Sequence, residues 1–334
     1  MVHQINVETV LKYLGQGVSR PAVIMGDDFR QYVLKTQKVH EGGSLQFYNC
    51  MFLNELLAYQ IACYLEVPIP EAAIAYLDNR LIDRDPALMF VHRFYEGNLF
   101  ASLELTNTEE NLVENYEEMR KMDKPYLTRT WNAFFSNIVN VNDIAKIVAF
   151  DLLIANFDRY GNTGNLLVST DEDGRKVFSI DHGHAFFGPK WETGKINALN
   201  APSQTFEYID AYVDVALKNN VKPGQGFADG LGSVFRAIEP SIDLTNLQSH
   251  SFIEVIYAIE SITEDLIDEW ISQIPKEWFD QTEMMNQISY YKSFLLKQKN
   301  LVRAIVQRMA ERKAFTNYLG GALQWKKEKN VGTV

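Results

Sequence analysis

Residues 151–168 most narrow the folds open to this chain. Their first part closes an apolar run at helical spacing, with Ile144, Ile147, Val148, Leu152 and Ile154 behind a capping Asp143. A polar loop follows, carrying Asn156, Asp158, Arg159, Asn162 and Asn165, before the chain turns apolar again at Leu166-Leu167-Val168. Residues 165–169 and 176–180 read as two strands, with Asp171-Glu172-Asp173-Gly174 as the turn between them. The second strand ends in Phe178-Ser179-Ile180-Asp181-His182-Gly183. Helix, polar loop and hairpin in this order place two carboxylates and an amide at the ends of neighbouring elements.

The rest of the chain reads as α+β. Residues 7–14 form a short amphipathic segment ending in Gly15-Gln16-Gly17-Val18-Ser19-Arg20-Pro21. Residues 21–25 and 30–34 are strand candidates joined by Gly26-Asp27-Asp28, the second leading to Lys35. Residues 49–65 have helical spacing and stop before Pro68-Ile69-Pro70, after which 72–76 and 88–94 read as strands. Residues 104–124 are acidic and read as a solvated loop or exposed helix, a candidate contact surface. Residues 205–313 are helical by periodicity, with the longest stretch at 281–312. The expected organisation is a small β-rich N-terminal unit at 1–95, a larger, mainly helical unit at 96–320 and a polar tail at 321–334.

Phosphoryl transfer needs few parts, and these residues supply them. A carboxylate orients or deprotonates the acceptor hydroxyl, while an amide oxygen and a second carboxylate hold Mg²⁺ against the phosphates. A strand-borne lysine grips the phosphates. Asp158, an asparagine of the loop, Asp181 and Lys35 are candidates for these roles. Taken singly, each aspartate reads more readily as a cap or turn residue, and Lys35 as an ordinary strand-end lysine. His182 and His184 suggest local packing rather than a metal site, since Mg²⁺ prefers oxygen.

Asn156-x-Asp158-Arg159, then Asn165-Leu166-Leu167, then Ile180-Asp181-His182-Gly183 resembles the catalytic signature of the HipA-like kinases, relatives of the protein-kinase and phosphatidylinositol-kinase superfamily. Gly17-Val18-Ser19-Arg20-Pro21 resembles the family's phosphate loop, and Tyr32-Val33-Leu34-Lys35 its ATP-lysine strand. Asn54-Glu55 is similar to the start of the helix behind that lysine, and Ile274-Pro275-Lys276-Glu277-Trp278 to a C-terminal feature. The resemblance implies a bilobal protein-kinase-like fold and ATP- and Mg²⁺-dependent transfer to a Ser/Thr hydroxyl of a protein, or of the chain itself. A small-molecule or lipid-headgroup acceptor, or a degenerate nucleotide-binding module working through a protein partner, are the alternatives. It implies Asp158 as catalytic aspartate, with Arg159 bracing the loop against a carboxylate or an acceptor's charge. Asp181 and Asn165 would be metal ligands, Asn162 standing as the alternative to Asn165. Lys35 would bind phosphate with Glu55 as its partner, Gly17, Val18 and Ser19 would cradle phosphate oxygens, and Phe94 would lie in the adenine pocket. Ser19 also stands where some members carry a regulatory autophosphorylation site. Two departures are Tyr160, where the family commonly has His, and a longer Asp158-to-Asn165 separation.

Charge limits the partners. A net charge of −11 and a pI near 5.1 oppose direct nucleic-acid binding, which requires a cationic surface. Cys50 and Cys63 form no metal or disulfide framework and read as two buried small hydrophobes. With no leader-like N-terminus and no long apolar run, the expectation is a cytoplasmic protein without membrane contact, open to a protein regulator.

Overall fold

The computed structural model describes residues 2–14, 20–109, 127–160, 165–218 and 232–325. Five strands close a barrel in the order β1-β2-β3-β7-β6: β1 His3–Tyr13, β2 Ala22–Gly26, β3 Gln31–Leu34, β6 Ala72–Leu77 and β7 Gly97–Leu103. The first segment, read as merely amphipathic, is a strand. Its Ile5 and Val7 alternate with exposed residues, as a half-buried strand requires. β1 pairs antiparallel with β2 and parallel with β6, which joins the two ends of the sheet. Between β3 and β6 lie a separate hairpin, β4 Lys38–Glu41 with β5 Ser44–Phe47, and helix α1, Met51–Tyr64.

α1 is buried along nearly its whole circumference, including Asn54, Glu55 and Gln60, and it packs against β7 on one side. A helix apolar all round belongs inside a protein, and the polar residues it carries there call for partners. Residues 88–94 are not a strand. Asp85 Oδ1 accepts the Ala87 N–H and starts the short helix α3, Ala87–Phe90, which follows α2, Asn79–Arg84. The strand lies further on. β7 is hydrogen-bonded to β3 and to β6, so the barrel runs past the boundary expected at residue 95.

Beyond the barrel come α4 Leu127–Phe134 and α5 Asp143–Leu153, then the hairpin β8 Leu166–Asp171 and β9 Gly174–Ser179, paired as expected about the 171–174 turn. Helices follow: α6 Thr193–Asn200, α7 Phe206–Lys218, α8 Ser233–Ile238, α9 Ile253–Glu260, α10 Glu264–Ser272, α11 Met284–Gln298 and α12 Val302–Glu311. The long stretch at 281–312 is thus two helices, broken at Lys299-Asn300-Leu301, where asparagine is a poor helix former. The start of the expected polar tail is packed. Leu323 is buried, Gln324 N–H donates to Leu247 O at 2.8 Å, and Trp325 stands edge-on to His250 at 4.7 Å. Cys50 is buried but Cys63 is exposed, which corrects half of the cysteine reading. Among the described residues no helix is long and apolar enough to cross a membrane.

Candidate active site

Three elements meet at one lysine. Lys35 follows β3, Glu55 sits in the first turns of α1, and Asp181 follows β9. Lys35 Nζ lies 2.5 Å from Glu55 Oε1 and 3.1 Å from Asp181 Oδ1. Burial alone would push the Lys35 ammonium down, but the Asp181 and Glu55 carboxylates outweigh it and its pKa is raised. Burial would likewise raise the Glu55 carboxyl, yet Lys35 and the neighbouring His182 hold it well below the usual carboxylate range. The pairing of Lys35 with Glu55, made across 20 residues of sequence, is therefore a true ion pair.

The loop after α5 is built on a second buried pair. Arg159 is fully buried, and its Nε donates to Asp151 Oδ2 at 2.6 Å. Its Nη1 donates to Asn165 O at 2.8 Å and to Ile180 O at 2.9 Å. One guanidinium thus ties the residue before β8 to the residue before Asp181. Of the two roles open to Arg159, bracing is the one observed. Asn165 turns its Nδ2 toward Asp158, at 3.4 Å from the carbonyl oxygen and 3.5 Å from Oδ2. Asp158, half-buried, and Asn165 are therefore neighbours. Asn162 lies outside the described residues, as do Gly17, Val18 and Ser19 and most of the acidic segment at 104–124.

Asp181 has a backbone φ of +60°, a left-handed conformation that aspartate tolerates better than most residues. Such strain recurs at functional sites, where the surroundings over-determine it. The residues after it are fixed from α1. His182 N–H donates to Glu55 Oε2 at 3.0 Å, and its Nε2 is 2.8 Å from Ser179 Oγ. Burial lowers the His182 pKa. This histidine packs and bonds locally, as expected. At Gly183 an added Cβ would come within 2.5 Å of Met51 Cγ, so a larger residue there would force the Met51 side chain to move.

A cavity of about 530 Å³ opens on this junction, large enough for a nucleotide. Val33, Phe100, Leu103, Leu167 and Ile180 give it apolar walls, and Lys35, Glu55 and Asp181 stand together in it. Phe94 is not part of it. That side chain is fully buried elsewhere, and Phe100, with Tyr13 and Tyr59, is an aromatic residue lining the cavity, Lys35 Nζ lying 5.8 Å from its ring centre. Tyr160 is buried with its ring edge-on to Phe235 at 5.3 Å and lines no part of the cavity.

Asn54 has a role that its mention beside Glu55 did not reveal. Its Nδ2 lies 2.7 Å from Gly183 O, 2.9 Å from Ala185 O and 3.0 Å from Gly188 O, while its Oδ1 accepts from Tyr291 Oη at 2.6 Å. Lys195 adds a bond from Nζ to Gly188 O at 2.6 Å. An asparagine beside Glu55 in a mostly apolar helix was the signal in the sequence.

A nucleotide-sized cavity with a lysine between two carboxylates, near an aspartate and an asparagine on one braced loop, is chemically suited to holding phosphates and a divalent cation. The sequence agrees: the family model "HipA-like kinase" matches residues 7–198, and the chain belongs to that family. A second model, the LepB N-terminal domain, matches residues 124–326. Among solved structures the chain is similar to the proinflammatory kinase CtkA of Helicobacter pylori, at 13% identity and a TM-score of 0.53, covering 93% of this chain and 98% of that one. This likeness shows the kinase fold. Hydra Fam20 with sugar follows at 13% identity and TM-score 0.47, covering 94% and 88%. HipA of Shewanella oneidensis MR-1, in its complex with HipB and operator DNA, aligns at 12% identity and TM-score 0.40, covering 92% and 67%. No curated protein matches the sequence.

Proposed function

We propose that this chain is an ATP- and Mg²⁺-dependent phosphotransferase acting on a hydroxyl of a protein, a serine or threonine, including its own. The observation that carries this reading is the junction of Lys35, Glu55 and Asp181 in the wall of the 530 Å³ cavity. In it the barrel and α1 form a small lobe and the residues after β7 a larger, mainly helical one, with the nucleotide between them.

The donor set fits a hard divalent cation. Asp181 offers a carboxylate, and Asn165, with its Nδ2 turned to Asp158, offers an amide oxygen. Mg²⁺ held there would neutralise charge on the β- and γ-phosphates. Lys35, kept charged by its carboxylate partners, supplies a fixed cation for the phosphate oxygens. Asp158 orients the acceptor hydroxyl and takes its proton. The acceptor oxygen then bonds to the γ-phosphorus while the bond from that phosphorus to the bridging oxygen breaks, and ADP leaves. Arg159 fixes Asn165 and Ile180, and through them the spacing of the two ligand residues.

Labelled ATP tests the assignment. With Mg²⁺, the wild type should transfer label to itself or to an added protein, and Asp158→Asn should bind ATP·Mg²⁺ yet transfer little. An Asp158→Asn variant as active as the wild type would remove Asp158 from the chemistry.

A further inference from the structure

The β4–β5 hairpin has no part in the chemistry above, yet its root is built into the site. Among the described residues β4 and β5 pair only with each other, so each presents an open edge. Phe47 stands opposite Lys38 and Leu45 opposite His40, which puts these four side chains on one face. Leu45 and Phe47 are 56% and 53% exposed, two apolar side chains side by side in water. The opposite face carries the buried Val39, and Glu41 and Gln46 there reach Lys190 at 3.5 Å and 3.1 Å. The outer face therefore combines apolar surface with one cation, Lys38, whose Nζ lies 4.8 Å from the Tyr95 ring centre, and with the exposed His40, in a chain whose net charge is −11.

The root of the hairpin is fastened to the segment that follows Asp181. Tyr48 stands edge-on to His184 at 5.6 Å, and Lys190 Nζ lies 5.2 Å from the Tyr48 ring centre. Cys50 N–H donates to Pro189 O at 2.8 Å, and Asn49 Oδ1 accepts from Trp191 N–H at 2.8 Å. The Tyr48 hydroxyl is pushed up to about 12 by burial first, then by Glu41 and by Asp158.

We propose that this hairpin is the docking surface for the acceptor: an extended segment of a protein substrate adds along it, its apolar side chains on Leu45 and Phe47 and an acidic one beside Lys38 and His40, presenting a Ser or Thr hydroxyl to Asp158. The inference rests on the phosphotransferase reading. Strand addition gives affinity through the main chain and selectivity through alternate side chains, which suits an open-edged hairpin with one apolar face. Charge complementarity selects the acidic component, since the rest of the protein's surface repels it.

The test uses the full chain, labelled ATP·Mg²⁺ and Ser/Thr peptides randomised at the positions flanking the hydroxyl. The wild type should select peptides with Leu, Ile or Phe and an Asp or Glu nearby. In the variant Leu45→Ser with Phe47→Ser, KM for the selected peptide should rise about tenfold or more, with kcat and KM for ATP within about twofold. Lys38→Glu should erase the acidic preference and keep the apolar one. The proposal is overturned if the double variant keeps the wild-type peptide KM, or if the wild type selects no apolar position. It is also overturned if gel filtration shows a dimer that Phe47→Ser dissociates at unchanged peptide KM, which gives the face to a second copy. Thermal stabilisation by ATP·Mg²⁺ is recorded in parallel. Stabilisation without peptide selectivity refutes the docking surface alone, and no stabilisation of the wild type refutes the phosphotransferase reading with it.

Discussion

Replacing Arg159 by methionine should destabilise the fold severely, whatever it does to substrate. The guanidinium is completely buried and holds Asp151, itself 3% exposed, at 2.6 Å. Removing one member of such a pair strands the other charge in a low-dielectric interior, which costs about 3–5 kcal/mol. Ile180 O also loses its donor, for about 1–3 kcal/mol more, while Asn165 O keeps the Ile180 N–H. The total, about 4–8 kcal/mol, is comparable with the ~5–15 kcal/mol that holds a typical protein folded. Urea unfolding followed by circular dichroism should show a large fall in midpoint at unchanged slope, and Tm should drop by ~8 °C or more. Adding Asp151→Asn to the same chain neutralises the stranded charge and should restore at least half of the loss, since the Asn156 Nδ2 bond to position 151 gives that side chain another partner. Two results refute the reasoning: an Arg159→Met protein within about 1 kcal/mol of wild type, or a double variant no more stable than the single one.

The other expectations are more local. Lys35→Met should lower turnover by about 10²–10³-fold, as loss of a fixed transition-state cation does, and it should also destabilise the fold by stranding Glu55, with Glu55→Gln in the same chain recovering stability but not turnover. Asp181→Ala should lose the stabilisation that saturating ATP·Mg²⁺ gives the wild type, about 2.7 kcal/mol at a hundredfold excess over Kd, read by differential scanning fluorimetry. For Lys195, burial pushes the pKa down from 10.5 to about 8. Between those values the unfolded chain binds more protons than the folded one, so stability should rise with pH. Relative to Lys195→Met, the wild type should gain on the order of 1 kcal/mol per pH unit from pH ~8 to ~10.5, and a flat difference across that window would place the lysine in water.

What could be read in the sequence followed from how much of each signal was local. The β8–β9 hairpin was legible because its turn carries its own chemistry. Asp171 Oδ1 accepts from the Asp173 and Gly174 N–H groups, and Gly174 takes a positive φ of 125°. α1 was legible from spacing, although its burial on every side was not. β7 escaped because a strand covered on both faces has no alternation, and its central Leu99, Phe100 and Ala101 are all buried. The β4–β5 hairpin is short, and its clearest mark, Gly42-Gly43 with both φ positive, lay between polar residues. At the site, Lys35, Glu55 and Asp181 meet only across long sequence separations, so motif order rather than local pattern suggested them, whereas Asp158 and Asn165, seven residues apart, share one loop. Phe94 and Phe100 show the limit of that method. Both are aromatic and close in sequence, but Phe100 lies in β7 and lines the cavity, while Phe94 precedes that strand and is buried away from it.

The threefold grip of Asn54 on Gly183, Ala185 and Gly188 has an evolutionary consequence. Residues 50–55 and 181–191 share one set of hydrogen bonds and, at Gly183, a contact that a methyl group could join only if Met51 moved. Neither stretch can drift alone. Among relatives, a change at the position of Asn54 should arrive together with changes in the 183–188 backbone segment or in Tyr291 and Lys195. Lineages that have abandoned catalysis should be recognisable by this whole block decaying as one unit, rather than by scattered loss of single charged residues.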